Sequence, residues 1–134
     1  MYEVRVEADF AAAHFLRDYH GKCENLHGHN YKVYAHAKGS ELDEGGMLLD
    51  FAELKNALRS VCKEIDHTNL NDLEKNGISV FDQNPSAERI AKYIFEKLHE
   101  ILEKSDSENG TKNAQKLYCI DVFETPTSRA RYTI

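Results

Sequence analysis

His14, Cys23, His27 and His29 stand close together near the start of the chain, the last three within the stretch CENLHGHN. His27 and His29 are separated by one residue, and in extended backbone positions i and i+2 face the same side, so both imidazoles can reach one metal ion. Gly28 between them is expected to let the backbone pass closely or take an unusual angle. His14, at the end of a separate alternating stretch, is the natural third ligand. Three neutral imidazoles with an open fourth position describe a catalytic zinc site, whereas a structural site is closed by four ligands, usually including cysteines. Cys23, four residues before His27, could be that fourth ligand. It also suits a base, because a thiol beside a divalent cation loses its proton more readily and can accept one at neutral pH.

Two further groups carry possible chemistry. In DHTNLN, Asp66 precedes His67, and an aspartate that orients an imidazole is a frequent acid–base device, although adjacency alone equally describes a surface loop. Glu124 finishes a row with Tyr118, Ile120 and Val122 on the same strand parity. A carboxylate there could hold paired N–H groups of a heterocycle, or simply end the strand in water. His20, His36 and His99 read as surface histidines, His36 because it shares its parity with Lys32 and Lys38. Cys62 and Cys119 read as small buried hydrophobes.

The elements that must position these groups are legible from periodicity. Tyr2, Val4, Val6, Ala8, Phe10 and Ala12 alternate with Glu3, Arg5, Glu7 and Asp9, the mark of a half-buried strand, and the same register puts His14 on the apolar side. HNYKVYAHAKG repeats the pattern with Tyr31, Val33, Ala35 and Ala37. DFAELKNALRSVCKEI changes to helical period, with Phe51, Leu54, Leu58, Val61, Cys62 and Ile65 on one stripe and Asp50 as N-cap. Residues 66–84 read as an irregular loop. A second helix opens at NPS and carries Ala87, Ile90, Ala91, Ile94, Phe95, Leu98, Ile101 and Leu102. KSDSENGTKNAQ reads as a flexible connector, and the strands KLYCIDVFET and SRARYTI follow. The order β-β-α-α-β-β predicts an α+β fold, an antiparallel sheet with two helices on one face. Four strands leave two open edges, so closure of several sheets into a barrel by a symmetric oligomer is expected.

Composition bounds the class. The chain has 134 residues, 41% of them hydrophobic, and a formal net charge of -6. That length suits one domain, 1–134, able to bury roughly two-thirds of its unfolded surface without disulfides. No apolar run approaches the ~20 residues of a membrane span. The acidic balance, with lysines and arginines interspersed among acids, argues against a nucleic-acid partner. The first residues resemble neither a signal nor a transit peptide, and three cysteines cannot all pair with one another, so a cytoplasmic protein is expected.

FAAAHFL, CENLHGH, LLDFAELK, DHTNLN, NPSAERIA and ETPTSRARY, in this order, resemble the 6-pyruvoyltetrahydropterin synthase family, including its 6-carboxytetrahydropterin synthase branch of the queuosine (7-deazaguanine) pathway. The resemblance implies the T-fold (tunnelling fold), assembled into barrels commonly as a hexamer of two trimers. It implies Zn2+ on His14, His27 and His29, with Cys23 as catalytic base, Asp66 and His67 as a proton-shuttling pair and Glu124 as anchor of the pterin ring. The implied substrate is 7,8-dihydroneopterin triphosphate. The implied products are 6-carboxy-5,6,7,8-tetrahydropterin, acetaldehyde and triphosphate. Arg17, Lys22, Arg129 and Arg131 are candidates to receive the triphosphate.

Glu24 complicates the transfer, because ENLHGH also resembles a branch in which a glutamate serves as base and the product is a 6-hydroxymethyl pterin for folate synthesis. 6-Pyruvoyltetrahydropterin synthesis is a further alternative. A zinc- or pterin-binding module without turnover is the non-enzyme alternative, against which Cys23 speaks, since binding alone needs no base.

Overall fold

A computed structural model describes all residues, 1–134. In chain order the elements are β1 (Tyr2–His14), β2 (His27–Gly39), α1 (Phe51–Ile65), β3 (Thr68–Asn69), β4 (Glu74–Lys75), β5 (Ile78–Ser79), α2 (Ala87–Asn109), β6 (Leu117–Thr125) and β7 (Ser128–Thr133). β1 and β2 pair antiparallel along their full length, from Tyr2 opposite Gly39 to His14 opposite His27. The alternation fixes that register. Val6, Ala8, Phe10 and Ala12 on β1 and Tyr31, Val33, Ala35 and Ala37 on β2 are all buried, and a slip of one residue would turn each of them to water. β6 adds to β2 and β7 to β6, both antiparallel, giving the sheet order β3-β1-β2-β6-β7.

Both helices cover one face of this sheet, α1 against β1 and α2 against β6 and β7, and they touch each other. Each is capped as its sequence requires. The Asp50 carboxylate accepts from Ala52 N (2.8 Å) and Ser86 Oγ from Arg89 N (3.3 Å), satisfying N–H groups that lack an intrahelical partner. Leu54, Leu58, Val61, Cys62 and Ile65 of α1 meet Ile90, Ala91, Ile94, Leu98 and Leu102 of α2 in one core. Phe51, expected on the buried stripe, is exposed at the first position of α1, whereas Leu54 one turn on is fully buried.

Three stretches differ from the sequence reading. Residues 66–84 are ordered: β3 joins β1 in parallel at Ala12 and Ala13, and β4 and β5 form a small hairpin. The expected flexible connector is mostly helix. α2 runs to Asn109 and stops at Gly110, whose φ of 68° lies in the left-handed region that favours glycine. Asp106 then clamps the exit, accepting from Thr111 Oγ1 (2.6 Å), Asn113 N (2.9 Å) and Ala114 N (2.8 Å). No helix is long and apolar enough to cross a membrane.

His36 is the third difference. It lies on the sheet face away from the helices, yet it is buried there beside Cys119 and Asp121. Its Nε2 meets Asp121 Oδ2 at 2.8 Å, and Arg131 grips the same carboxylate with Nε (2.7 Å) and an Nη (2.8 Å). Burial alone would raise the Asp121 pKa, but the bonds and charges of Arg131 and His36 outweigh it and hold the carboxyl below its ordinary value. A depressed native pKa stabilises the fold above the unfolded value, about 4, and the contribution is lost as pH falls through the native one. Asp121→Asn is therefore expected to cost about 3 kcal/mol at pH 7, the low end for a broken buried pair because Arg131 keeps some solvent contact. Thermal melts should show the deficit of the variant shrinking as the pH drops below about 4; an equal deficit at every pH would contradict the assignment.

Candidate active site

The full-length pairing of β1 and β2 sets His14 directly opposite His27, with His29 two residues along on the same face. The three rings meet edge to face with centroids 4.5, 4.8 and 5.2 Å apart, and one nitrogen from each lies within 4.8 Å of the others. Backbone carbonyls orient two of them: His14 Nδ1 donates to Pro85 O (2.8 Å), just ahead of α2, and His27 Nδ1 to Asn25 O (2.7 Å). An Nδ1–H engaged in this way leaves Nε2 as a bare lone pair facing the centre of the cluster. The Nε2 atoms of His14 and His29 are buried without a hydrogen-bond partner. Burial, joined by the neighbouring His27 and His29, keeps His14 below the ordinary imidazole pKa, hence neutral.

Glu124 comes into the same cluster. Its Oε1 is 3.5 Å from His14 Nε2 and its Oε2 4.0 Å from His29 Nε2. A carboxylate facing bare imidazole lone pairs is unfavourable unless positive charge lies between them. Two orphaned buried nitrogens, backbone-oriented rings and an adjacent carboxylate therefore fit a divalent cation of the zinc type. The other buried group of potential ligands, His36, Cys119 and Asp121, fails the same test, because Asp121 and His36 are already partnered by Arg131, Glu3 and each other.

Gly28 behaves differently from expectation. It pairs with Ala13 in regular strand, and a Cβ there would lie 3.6 Å from Ala12 O, an ordinary contact. Its lack of a side chain keeps open a cavity of about 520 Å³ bounded by Ala11–Ala13, Gly28–Asn30 and His67–Asn69.

Cys23 sits half-buried in a short helical turn, Lys22–Glu24, tied back by Leu16 N donating to Cys23 O (2.7 Å). It lines a second cavity, about 230 Å³, together with Leu16, Ser86, Glu88, Glu124 and Arg129. Glu24 is outside it, half exposed and facing His20 at 4.0 Å. Ser86 and Glu88, at the start of α2, were missed by the sequence reading. Their only signal was proximity to the N-terminus of a helix, which many surface residues share.

Asp66 and His67 form their pair, but loosely. Asp66 Oδ2 is 3.5 Å from His67 Nε2, while Asp66 Oδ1 accepts from Ala11 N (2.8 Å) and His67 N donates to Ala11 O (2.6 Å). Those backbone bonds hold His67 at φ 56°, in the left-handed region, with its ring largely in water. His67 borders the cavity of Gly28 and His29, and Cys23 the one of Glu124, so a single chain does not bring Cys23 and His67 into one cavity. Of the basic residues considered for a triphosphate, Arg129 lines the Cys23 cavity while its Nε stands 3.7 Å from Asp121 Oδ1, and Arg131 is bonded directly to Asp121. Cys62 and Cys119 are buried free thiols, and burial pushes both up, Cys62 to about 12.

The model of the 6-pyruvoyl tetrahydropterin synthase family matches residues 3–134. The chain belongs to this family. It is similar to the 6-carboxy-5,6,7,8-tetrahydropterin synthase of Synechocystis sp., with 35% identity over 98% of this chain and 93% of the relative. The enzyme of the same name from Bacillus subtilis is 34% identical over 98% of this chain and 84% of its own length. Among solved structures, the 6-pyruvoyl tetrahydropterin synthase of Caenorhabditis elegans superposes with a TM-score of 0.79 at 28% identity, covering 99% of this chain and 95% of that one. The two helices on one face of an antiparallel-rich sheet are thus the T-fold of this family.

Proposed function

We propose that this protein is a zinc-dependent lyase converting 7,8-dihydroneopterin triphosphate to 6-carboxy-5,6,7,8-tetrahydropterin, acetaldehyde and triphosphate, in the cytoplasm and for queuosine synthesis. The observation that carries the reading is that Cys23 and Glu124 share one cavity, and Glu124 in turn adjoins the three-histidine cluster. The names of its relatives support the same product.

His14, His27 and His29 would hold the ion through ring nitrogens, and zinc there supplies Lewis-acid polarisation of the substrate's side-chain oxygens. Glu124, lining the same cavity, accepts paired N–H groups of the pterin and fixes which carbon faces Cys23. Cys23 removes the proton from that carbon as thiolate. Arg129, on the rim, is placed to meet a phosphate. His67, steadied by Asp66, exchanges protons from the opposite side of the His27–His29 strand. The homo-oligomer of this reading, a hexamer of two trimers closing the sheets into barrels, would cover the open edge of β7 and the length of β1 that β3 leaves unpaired, and set the exposed His67 at a subunit boundary.

Glu24 keeps a second product in view, the 6-hydroxymethyl pterin. Its outward position, facing His20 rather than the cavity, favours the 6-carboxy product. Mass spectrometry of the products from zinc-loaded protein and dihydroneopterin triphosphate decides between them. The 6-carboxy compound is expected, and Glu24→Ala should leave its rate within about threefold, as for a surface carboxylate. A 6-hydroxymethyl product that vanishes with Glu24→Ala would overturn the choice.

A further inference from the structure

Tyr31 is the one phenol set against the candidate active site. The residue is wholly buried, and its hydroxyl has no hydrogen-bond partner. Its ring stacks on Phe10 at 4.6 Å, and the rings of His29 and His14 meet it edge-on at 5.4 and 5.9 Å. The β2–β6 ladder ends with Lys32 opposite Phe123, so Tyr31 and Glu124 are the next residues along their strands, Glu124 at an irregularity of the β6–β7 pairing. Glu124 reaches the same two rings that Tyr31 touches, 3.5 Å from His14 Nε2 and 4.0 Å from His29 Nε2.

A buried hydroxyl without a partner is costly, and phenylalanine would fill the same space without that cost. The remaining buried orphans point the same way. His14 Nε2 and His29 Nε2 belong to the cluster beside Tyr31, whereas the orphaned Tyr93 hydroxyl lies apart, against Phe81. Tyr31 therefore carries an unpaired O–H donor on a ring that touches the two histidines whose Nε2 atoms are also unpaired. The phenol is protonated at neutral pH, so it offers a proton to an acceptor. The carboxylate beside the same two histidines is that of Glu124, held 3.5–4.0 Å from their Nε2 atoms rather than bonded to any donor.

We propose that Tyr31 is a positioning residue. In the loaded site its hydroxyl donates to the Glu124 carboxylate and fixes the orientation in which that carboxylate receives the heterocycle. The inference rests on the pterin reading of the site, and its test separates the two.

Tyr31→Phe should bind zinc at the wild-type stoichiometry and melt at or above the wild-type temperature, since it removes an unpaired buried group. Its KM for dihydroneopterin triphosphate should rise, and kcat/KM should fall roughly tenfold, the scale of one hydrogen bond to a charged group. In a double-mutant cycle, adding Tyr31→Phe to Glu124→Gln should cost almost nothing further, because Tyr31 acts through Glu124. Wild-type kinetics in Tyr31→Phe, or losses that multiply in the cycle, would overturn the proposal. So would a melting temperature several degrees lower, which would give the hydroxyl a structural partner. As a measurement that leaves the side chain in place, 3-fluorotyrosine at position 31 should shift its 19F resonance when 7,8-dihydroneopterin is added to zinc-loaded protein; an unmoved resonance on a protein that binds the pterin counts against it. Should wild-type protein bind no pterin by fluorescence titration, the parent reading fails, and the Tyr31 proposal with it.

Discussion

His14→Ala is expected to abolish zinc binding and turnover together, with activity lower by about 1000-fold or more, the scale for losing a ligand of a three-ligand catalytic metal. His14 is 1% exposed, its Nδ1 is held by Pro85 O, and its Nε2 is left aimed at the cluster. Two histidines two residues apart on one strand cannot enclose an ion alone, so the third, from the neighbouring strand, decides retention. His20→Ala is the matched control, because that ring is almost entirely in water. Metal content per chain, by atomic emission after dialysis, and the initial rate on dihydroneopterin triphosphate are the two readouts. Stoichiometric zinc in His14→Ala with a rate within tenfold of wild type would sink the assignment. Because the substituted residue is buried, His29→Ala serves as a second arm. Its ring is partly exposed, so its loss threatens the fold less.

Cys23→Ala should show the complementary pattern: full zinc content, a folded protein and turnover lower by about 100- to 10,000-fold, the range for removal of a general base. Cys23 is half-buried in a short surface turn, and its side chain adds little to the core, so the variant should melt within a degree or two of wild type. Substrate affinity should change far less than kcat, since the group acts on the proton being transferred rather than on the ring. Cys23→Ser should fall between the two in rate at neutral pH and gain as pH rises, because a hydroxyl holds its proton more firmly than a thiol. If Cys23→Ala keeps a tenth or more of the rate while Glu24→Ala does not, the base is the carboxylate three residues before His27 and the reaction belongs to the hydroxymethyl branch.

Much of this architecture was legible along the chain because the signals are local. Alternation with period two placed Tyr2–His14 and residues 29–39 as strands, put His14 on the apolar side and gave His27 and His29 a common side; the second strand begins two residues earlier, at His27. Helical period and the Asp50 and Ser86 caps located α1 and α2. What failed locally failed for tertiary reasons. His36 lies among lysines by parity and still is buried, because Asp121 and Arg131 come from strands far along the chain. Residues 66–84 lack periodicity but are pinned by bonds to Ala11 and by Asn71, whose side chain bonds both backbone groups of Phe15. The end of α2 looked like linker, since only the clamp of Asp106 on the backbone of 113 and 114 turns it into structure.

The chain's own order thus determined the main element types, the shared face of His27 and His29 and, through the order of its motifs, the family resemblance, all of them readable along the sequence. The tertiary structure alone decided that Glu124 adjoins those histidines, that Cys23 faces the cavity while Glu24 does not, that Cys23 and His67 border different cavities, and that Tyr31 ends as a buried donor without a partner. Each of these depends on register between strands distant in sequence and on where loops close, and side-chain spacing along one segment carries no information about either.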